Sequence, residues 1–335
     1  MASQDTPGQN MLCNLLTVPD PNAPNPNAPN PNAPNPNVSN PNVSNLLIPQ
    51  VTRFELPGSR IVPVCFEMAT SDIQYPSGFS LKDVVGWGTT GLVVLDKSTR
   101  TVIKTPLDQE NAALILREQR IYERLNEKGG HRGLLNYFGT FEAGIRLEYA
   151  SNHDLRSVNK EKQISEKQRI FWAIQIAEAI DFIHTAGVIH GDLTCANVFL
   201  DEGFNAKLAD FAGSSIDGSP LLVGVMPSHE SPGPLLSIQG DLFAFGCILY
   251  EIMTTQVPYD GKADDEIQSL YTSGVFPDTS SLGAMGHIIR KCWLGKYPKS
   301  KALVHDLKAQ QENFPMSSTL IYIAVMTTAI FIYSR

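Results

Sequence analysis

Cysteine is scarce and badly placed for crosslinking: five residues, at positions 13, 65, 195, 247 and 292, odd in number and with no C-x-x-C spacing. That argues against a disulfide framework and a cysteine zinc site, and it fits a reducing, cytoplasmic setting. Residues His153, His184 and His190 stand in no metal-ligand spacing. Positive charge is also in short supply, with 26 Lys and Arg against 34 Asp and Glu and a net charge of -8. A general nucleic-acid binder needs a basic face, so no nucleic-acid partner is expected. Residues 1–18 lack the basic start and long apolar core of a secretory signal.

The N-terminal region lacks any apolar face. Residues 21–45 are five pentapeptides, PNAPN three times and PNVSN twice. A Pro- and Asn-rich tract of this kind cannot bury enough apolar surface to offset its ordering entropy, so residues 1–45 are expected to be a disordered spacer. The period is too short for a solenoid unit. With 42% hydrophobic residues, the remainder can bury a core of about 235 residues.

The most informative stretch is VIHGDLTCANVFL, residues 188–200, followed by LADFAG. Asp192 can meet a hydroxyl, Asn197 stands five residues on, and Asp210 follows thirteen residues later. A base and two magnesium ligands in that order are phosphoryl-transfer equipment. Upstream, FSLKDVVGWGTTGLVVLDKSTRTVIKTP reads as strand, glycine loop, strand, turn and strand, with Gly86, Gly88 and Gly91 spaced G-x-G-x-x-G. Glycines there let backbone N–H groups approach phosphate oxygens. β-Branched residues follow the loop, whereas the dinucleotide-binding fingerprint turns into a helix. Lys104 ends the apolar run TVIK. Glu118 lies in a helical pattern from about 109 to 126, in which Leu114, Ile115, Ile121, Tyr122 and Leu125 repeat at helix spacing, and it can pair with Lys104 against the phosphates.

From 79 to 314 the chain resembles a eukaryotic protein kinase catalytic domain. The resemblance implies an α+β, bilobal fold with a small β-rich N-lobe, 79–148, and a large helical C-lobe, 151–314; the apolar pieces LLIPQV and IVPVCF predict that residues 46–78 extend the small lobe. It implies ATP and Mg²⁺ as cofactors and a protein substrate. Asp192, Lys104 and Glu118 take catalytic roles; Asn197 and Asp210 hold metal. Gly86, Gly88, Gly91, Val93, Val102, Lys104, Glu148 and Ala150 line the ATP site, and Asp241, His190 and Phe211 are structural. Glu148-Tyr149-Ala150 becomes the hinge, with Leu147 at the back of the adenine site. QGDLFAFGCILYEIMTTQVPYDG looks like the family's central buried helix, whose Asp241 ties down the catalytic loop, and HIIRKCW like a late helix. The wording HGDL with DFAGSS resembles a kinase-like group common in filamentous fungi.

Departures from the family pattern bear on function. Gly191 replaces the arginine that grips a phosphorylated activation loop, and the segment from Asp210 to Glu230 contains no Thr or Tyr. Together these imply an enzyme not switched by phosphorylation there. Thr194 replaces the lysine that steadies the γ-phosphate in Ser/Thr kinases, which lowers the expected rate. Ala212 follows Asp210-Phe211 where glycine is usual, and Val102 narrows the adenine pocket. Glu230 lacks an evident arginine partner, leaving Lys299 or Lys301 as substitutes. Cys195 is read as a small buried thiol, with reactivity as the competing reading. Trp87 is a lid over the phosphates or a residue that packs or lies exposed at the loop tip, and Asp154 faces ribose or substrate or is a solvated loop carboxylate.

Ser165 and Gln168 make a capping box for a long helix whose buried stripe is Ile170, Phe171, Ile174, Ile176, Ala177, Ile180 and Ile183, with Gly187 as its stop. Residues 316–333 form a charge-free apolar stretch. As a helix it reaches roughly 27 Å, marginal for a bilayer core. A tail anchor giving membrane attachment, a helix folded on the large lobe and a wrongly placed gene end all remain open. Three functions stand in order: a protein kinase, more Ser/Thr than Tyr; a pseudokinase scaffold binding nucleotide weakly; and a small-molecule phosphotransferase, which shares His-Gly-Asp with an asparagine five residues later.

Overall fold

A computed structural model describes residues 74–161 and 163–312. The pentapeptides, most of the 46–78 extension and the 316–333 stretch lie outside these residues. Among the described residues no helix is long and apolar enough to cross a membrane.

The small lobe is a five-stranded antiparallel sheet ordered β1-β2-β3-β5-β4, from β1 (Val84–Trp87), β2 (Leu92–Asp96), β3 (Thr101–Thr105), β4 (Tyr137–Phe141) and β5 (Gly144–Glu148). Alternation sets its faces. Leu92, Val94 and Ile103 point into one apolar cluster with Tyr75, Phe79 and Phe141, while Val102 faces the main core. β3 is buried along its whole length, which suits a β-branched central strand. The β2–β3 turn is fixed by Asp96, whose Oδ1 accepts from Ser98 N at 3.0 Å and Ser98 Oγ at 2.6 Å. Helix α1 (Ala112–Glu127) lies against the sheet through Ile115, Ile121, Tyr122 and Leu125, with Glu118 on the same buried face. It begins three residues later than its apolar pattern suggests, because Asp108 turns the preceding chain through Asn111 N at 2.8 Å.

The large lobe contains α2 (Leu155–Glu161), α3 (Glu166–Thr185), α4 (Ile238–Thr254), α5 (Asp264–Thr272), α6 (Gly283–Trp293) and α7 (Ser300–Glu312). α3 packs along α7, and α4 along α6. α4 is apolar on nearly every side and sits at the centre, as an all-round apolar helix must. Four short strands flank the segments that carry Asp192 and Asp210: β6 (Val188–Ile189) pairs with β9 (Ser215–Ile216), and β7 (Val198–Leu200) with β8 (Ala206–Leu208).

Two details of α3 differ from the sequence pattern. Ser165 Oγ accepts from Gln168 N at 3.2 Å, but the Gln168 side chain turns to the Phe204 carbonyl at 3.4 Å, so the box is half made. Phe171 is exposed, and its neighbour Trp172 takes the interior instead, where indole Nε1 donates to the Phe204 carbonyl at 2.8 Å. An indole can be buried there because its one polar atom has a partner.

Candidate active site

β3 presents Lys104 and α1 presents Glu118 across the small lobe, and the Lys104 ammonium meets Glu118 Oε2 at 2.7 Å. The same nitrogen donates to Asp210 Oδ1 at 2.6 Å. Burial alone would push Lys104 down, but the carboxylates of Glu118 and Asp210 outweigh it and hold the ammonium above its ordinary value. Glu118 has no exposed surface; burial pushes it up against the pull of Lys104. Asp210 is held below the usual carboxylate range, burial notwithstanding, by Lys104. Glu118 Oε1 also accepts from the Phe211 backbone N–H at 3.2 Å, which joins α1 to the segment after Asp210.

The catalytic loop hangs from Asp241 near the start of α4. Its Oδ2 accepts from His190 N at 2.8 Å and its Oδ1 from Gly191 N at 2.9 Å. His184 Nε2 lies 2.8 Å from Oδ2, while its Nδ1 lies 2.5 Å from Ser300 Oγ. His184 is therefore a polar bracket between α3, α4 and α7. His190 Nε2 reaches the Ala209 carbonyl at 3.0 Å. With the loop so fixed, Asn197 Nδ2 donates to the Asp192 carbonyl at 2.8 Å and to Asp192 Oδ2 at 3.1 Å. Burial pushes the Asp192 carboxyl up, opposed by His190 and the Asn197 bond.

Four rings run between the lobes through this centre. Tyr137 stacks on Tyr122 at 5.7 Å, Tyr122 meets the Phe211 edge at 5.2 Å, and Phe211 lies 5.1 Å from His190. A cleft of about 370 Å³ opens where Thr89 and Thr90 of the glycine loop face Asp192, Asp210, Gly213, Val223 and Gly224. The third loop glycine is demanded by packing as much as by phosphate approach, since a Cβ at Gly91 would lie 2.6 Å from the Thr105 carbonyl oxygen. Gly86 lies in β1, paired with Val93 of β2, and Gly88 stands in the loop; Val102 follows on β3, paired to Leu147, with both of their side chains buried. Glu148 ends β5; its Oε2 accepts from Asn136 N at 3.0 Å and pairs with Lys207 at 3.4 Å, leaving Tyr149-Ala150 as the link between lobes.

Several sequence expectations are revised. Glu230 makes no ion pair among the described residues, and neither do Lys299 and Lys301, which are exposed. Asp154 is half-buried and caps the start of α2, accepting from Ser157 N at 2.9 Å and Ser157 Oγ at 2.7 Å. Cys195 has no exposed surface, and burial pushes its thiol well up, so it is inert. Trp87 is 52% exposed at the end of β1. Two arginines that sequence reading passed over, Arg117 and Arg124, reach from α1 to the segment after Asp210. Their seven-residue spacing puts them on one helix face, but their partners lie about a hundred residues along the chain and leave no local signal.

The donors suit a magnesium site. Asn197 and Asp210 offer hard oxygens, and 37% of the Asp210 side chain is exposed. Among the described residues no cluster of three or more His, Cys, Asp or Glu could hold a metal by itself. Magnesium commonly takes one or two protein ligands and completes its shell with water and phosphate oxygens.

The protein kinase domain family matches residues 79–279. The chain is 28% identical over 257 residues to NUAK family SNF1-like kinase 1 of Mus musculus, covering 68% of this chain and 37% of that protein. It is 29% identical over 237 residues to serine/threonine-protein kinase PKH1 of Saccharomyces cerevisiae, covering 60% and 29%. A probable serine/threonine-protein kinase of Dictyostelium discoideum is 30% identical over 163 residues, covering 44% and 17%. The chain thus spans little more than a third of the first of these relatives and less of the others, and matches drawn from animal, yeast and slime mould do not single out the fungal group. Since the family match covers more than half of the sequence, and Lys104, Glu118 and Asn197 are bonded into one group with the cleft residues Asp192 and Asp210, the chain belongs to the protein kinase domain family.

Proposed function

We propose that the protein transfers the γ-phosphoryl group of Mg-ATP to a protein hydroxyl, and that the acceptor is Ser or Thr. The observation that carries this reading is Lys104, held at 2.7 Å by Glu118 and at 2.6 Å by Asp210, whose carboxylate lines one cleft with Asp192. Magnesium, when bound, neutralises charge on the phosphates. Asn197 and Asp210 supply its protein oxygens. Lys104 is fixed for the α- and β-phosphates, and Gly86, Gly88 and Gly91 let the loop backbone approach them. Asp192 orients the acceptor hydroxyl and takes its proton; the Asn197 amide fixes the carboxylate rotamer for that transfer. Similarity to the serine/threonine-protein kinases of Saccharomyces cerevisiae and Dictyostelium discoideum supports Ser/Thr over Tyr.

Gly191, and the absence of Thr and Tyr between Asp210 and Glu230, support an enzyme that needs no phosphate on this segment. The pseudokinase reading draws on Thr194, Ala212 and Val102. Thr194 is buried and, among the described residues lining the cleft beside Asp192, none is a Lys or Arg, so transition-state charge would fall on the metal and on Lys104, which reaches the cleft through Asp210.

The test is transfer of labelled γ-phosphate from Mg-ATP to a generic protein substrate by the full chain and by Asp192→Asn. Loss of about a thousandfold in the variant, with Mg-ATP binding retained, is the expected result. Binding without transfer by either protein would replace the kinase reading with the scaffold.

A further inference from the structure

In α1, Arg117 directly precedes Glu118, and Arg124 follows one heptad later. Both side chains leave the helix toward residues 214–220, while Glu118 faces Lys104. Arg117 Nη1 donates to the Ser214 carbonyl at 2.9 Å, to Ser219 Oγ at 2.8 Å and to the Pro220 carbonyl at 3.2 Å. Arg124 makes a two-pronged pair with Asp217, at 3.1 Å and 2.9 Å, and its Nη1 also reaches the Ala186 carbonyl at 3.4 Å. Arg124 holds the Asp217 carboxyl below its ordinary range.

The segment they grip is already closed on itself and on the catalytic loop. Ser215 and Ile216 pair with Ile189 and Val188, Asp217 N donates to the Gly187 carbonyl at 2.9 Å, and Ile216 N donates to Ser219 Oγ at 3.0 Å. Next along the chain, Leu221 is seated on Gly191. A Cβ at Gly191 would lie 2.3 Å from Leu221 Cδ2, and the backbone there is left-handed at φ +73. A larger residue at 191 and Leu221 in this seat exclude each other. An apolar side chain thus lies where the family's phosphate-gripping arginine would start.

We propose that Arg117 and Arg124 are positioning residues for phosphoryl transfer: from α1 they clamp residues 214–220 directly, and so hold Glu118 on Lys104 and on Phe211 N with no phosphate between them. The geometry is mechanical. Glu118 and Arg117 are adjacent on one rigid helix, so a helix that swings away from Lys104 must also release the segment. Four acceptors on that segment, two carbonyls, a hydroxyl and a carboxylate, are matched by two guanidinium forks, the group best shaped for several acceptors at once.

This inference rests on the kinase reading for its rate effects, but not for its structural ones. The experiment uses the full chain, phosphatase-treated, as wild type, Arg117→Ala, Arg124→Asp, Asp217→Arg and the charge-exchanged pair Arg124→Asp/Asp217→Arg. Two readouts are taken: kcat and KM for ATP, and hydrogen exchange of the amides of Ile216 and Asp217. Arg117→Ala should lower kcat about tenfold with KM for ATP changed less than about twofold, and Arg124→Asp should lower kcat about threefold. Exchange at Ile216 and Asp217 should rise in each single variant, and the charge-exchanged pair should recover both readouts to within about twofold of wild type. A wild type that transfers nothing defeats the kinase reading, and the clamp is then decided by exchange alone. Unchanged exchange in the single variants, a charge-exchanged pair no better than its parents, or activity abolished by phosphatase would each overturn the proposal.

Discussion

Lys104 is the residue on which most of the site depends, and its removal separates electrostatics from packing. Lys104→Met strands Glu118, fully buried, with no counter-charge. Breaking a buried pair from one side costs about 3 kcal/mol, because the remaining charge must be neutralised by protonation or carried unpaired. The double variant Lys104→Met/Glu118→Gln should regain most of that loss while remaining inactive, since the amide oxygen can still accept from Phe211 N. Urea unfolding of the three proteins at one pH checks this; a double variant as unstable as the single would show that Glu118 is not the source.

His229 supports a pH prediction. It is 1% exposed, its Nδ1 lies 2.9 Å from Ser228 Oγ, and its Nε2 has no partner among the described residues. Burial, aided by Arg156, pulls the ring down to about 3. The unfolded chain takes up a proton near the ordinary value of 6.5 and the folded one does not. The stability of the neutral ring is therefore complete above that value and is lost progressively as pH falls toward about 3. Between pH 7 and 5 the loss from this group is about 2 kcal/mol. His229→Gln should remove that much of the acid sensitivity, read as the difference in unfolding free energy at the two pH values. The chemical residues of the site, from Lys104 to Asp241, were legible in the sequence because residue type and spacing specify them. His229 and Arg117 were not: one is defined by the burial around it, the other by carbonyl groups about a hundred residues away.

Among the elements, periodicity succeeded where one face is buried and failed where burial goes all round. The apolar repeat of α1 places four of its five named residues in the core, and Leu114 falls on the partly exposed flank. α3 is enclosed by α4, α7 and β8, so Trp172, Ala173 and Gln175 are buried beside the expected stripe. With so wide an interior face, the pattern could not say that Phe171 is the residue turned outward. The same limit explains Gln168, which a capping motif assigned to its own helix. It serves instead the loop after β7, through Phe204. Local motifs describe what a side chain can reach within one turn; a partner brought in by the tertiary fold competes on equal terms. The glycine loop and β1 to β3 were legible for the opposite reason, since their turns are set by Gly and Asp residues acting within a few positions.

At the scale of the molecule, the two lobes are joined by more than the Tyr149-Ala150 link. The rings of Tyr137 and Tyr122 belong to the small lobe, Phe211 and His190 to the large one, and the His190 backbone is anchored on Asp241 of the central helix. Phe211 is fully buried at the middle of this column. Phe211→Ala opens a cavity between the lobes and should cost about 3 to 5 kcal/mol. Its location makes a sharper prediction than its size. If the column couples the lobes, hydrogen exchange in Phe211→Ala should rise both in α1, around Tyr122, and in the catalytic loop, around His190, although the other contacts of both are retained. Phe211→Leu, which keeps most of the volume, should raise neither by more than about threefold. Faster exchange confined to one lobe would mean that the rings are only neighbours. In that case the alignment of Lys104 with Asp192 would have to come from the Asp210 and Glu118 bonds alone, and loss of Phe211 would weaken Mg-ATP binding far less than loss of Lys104.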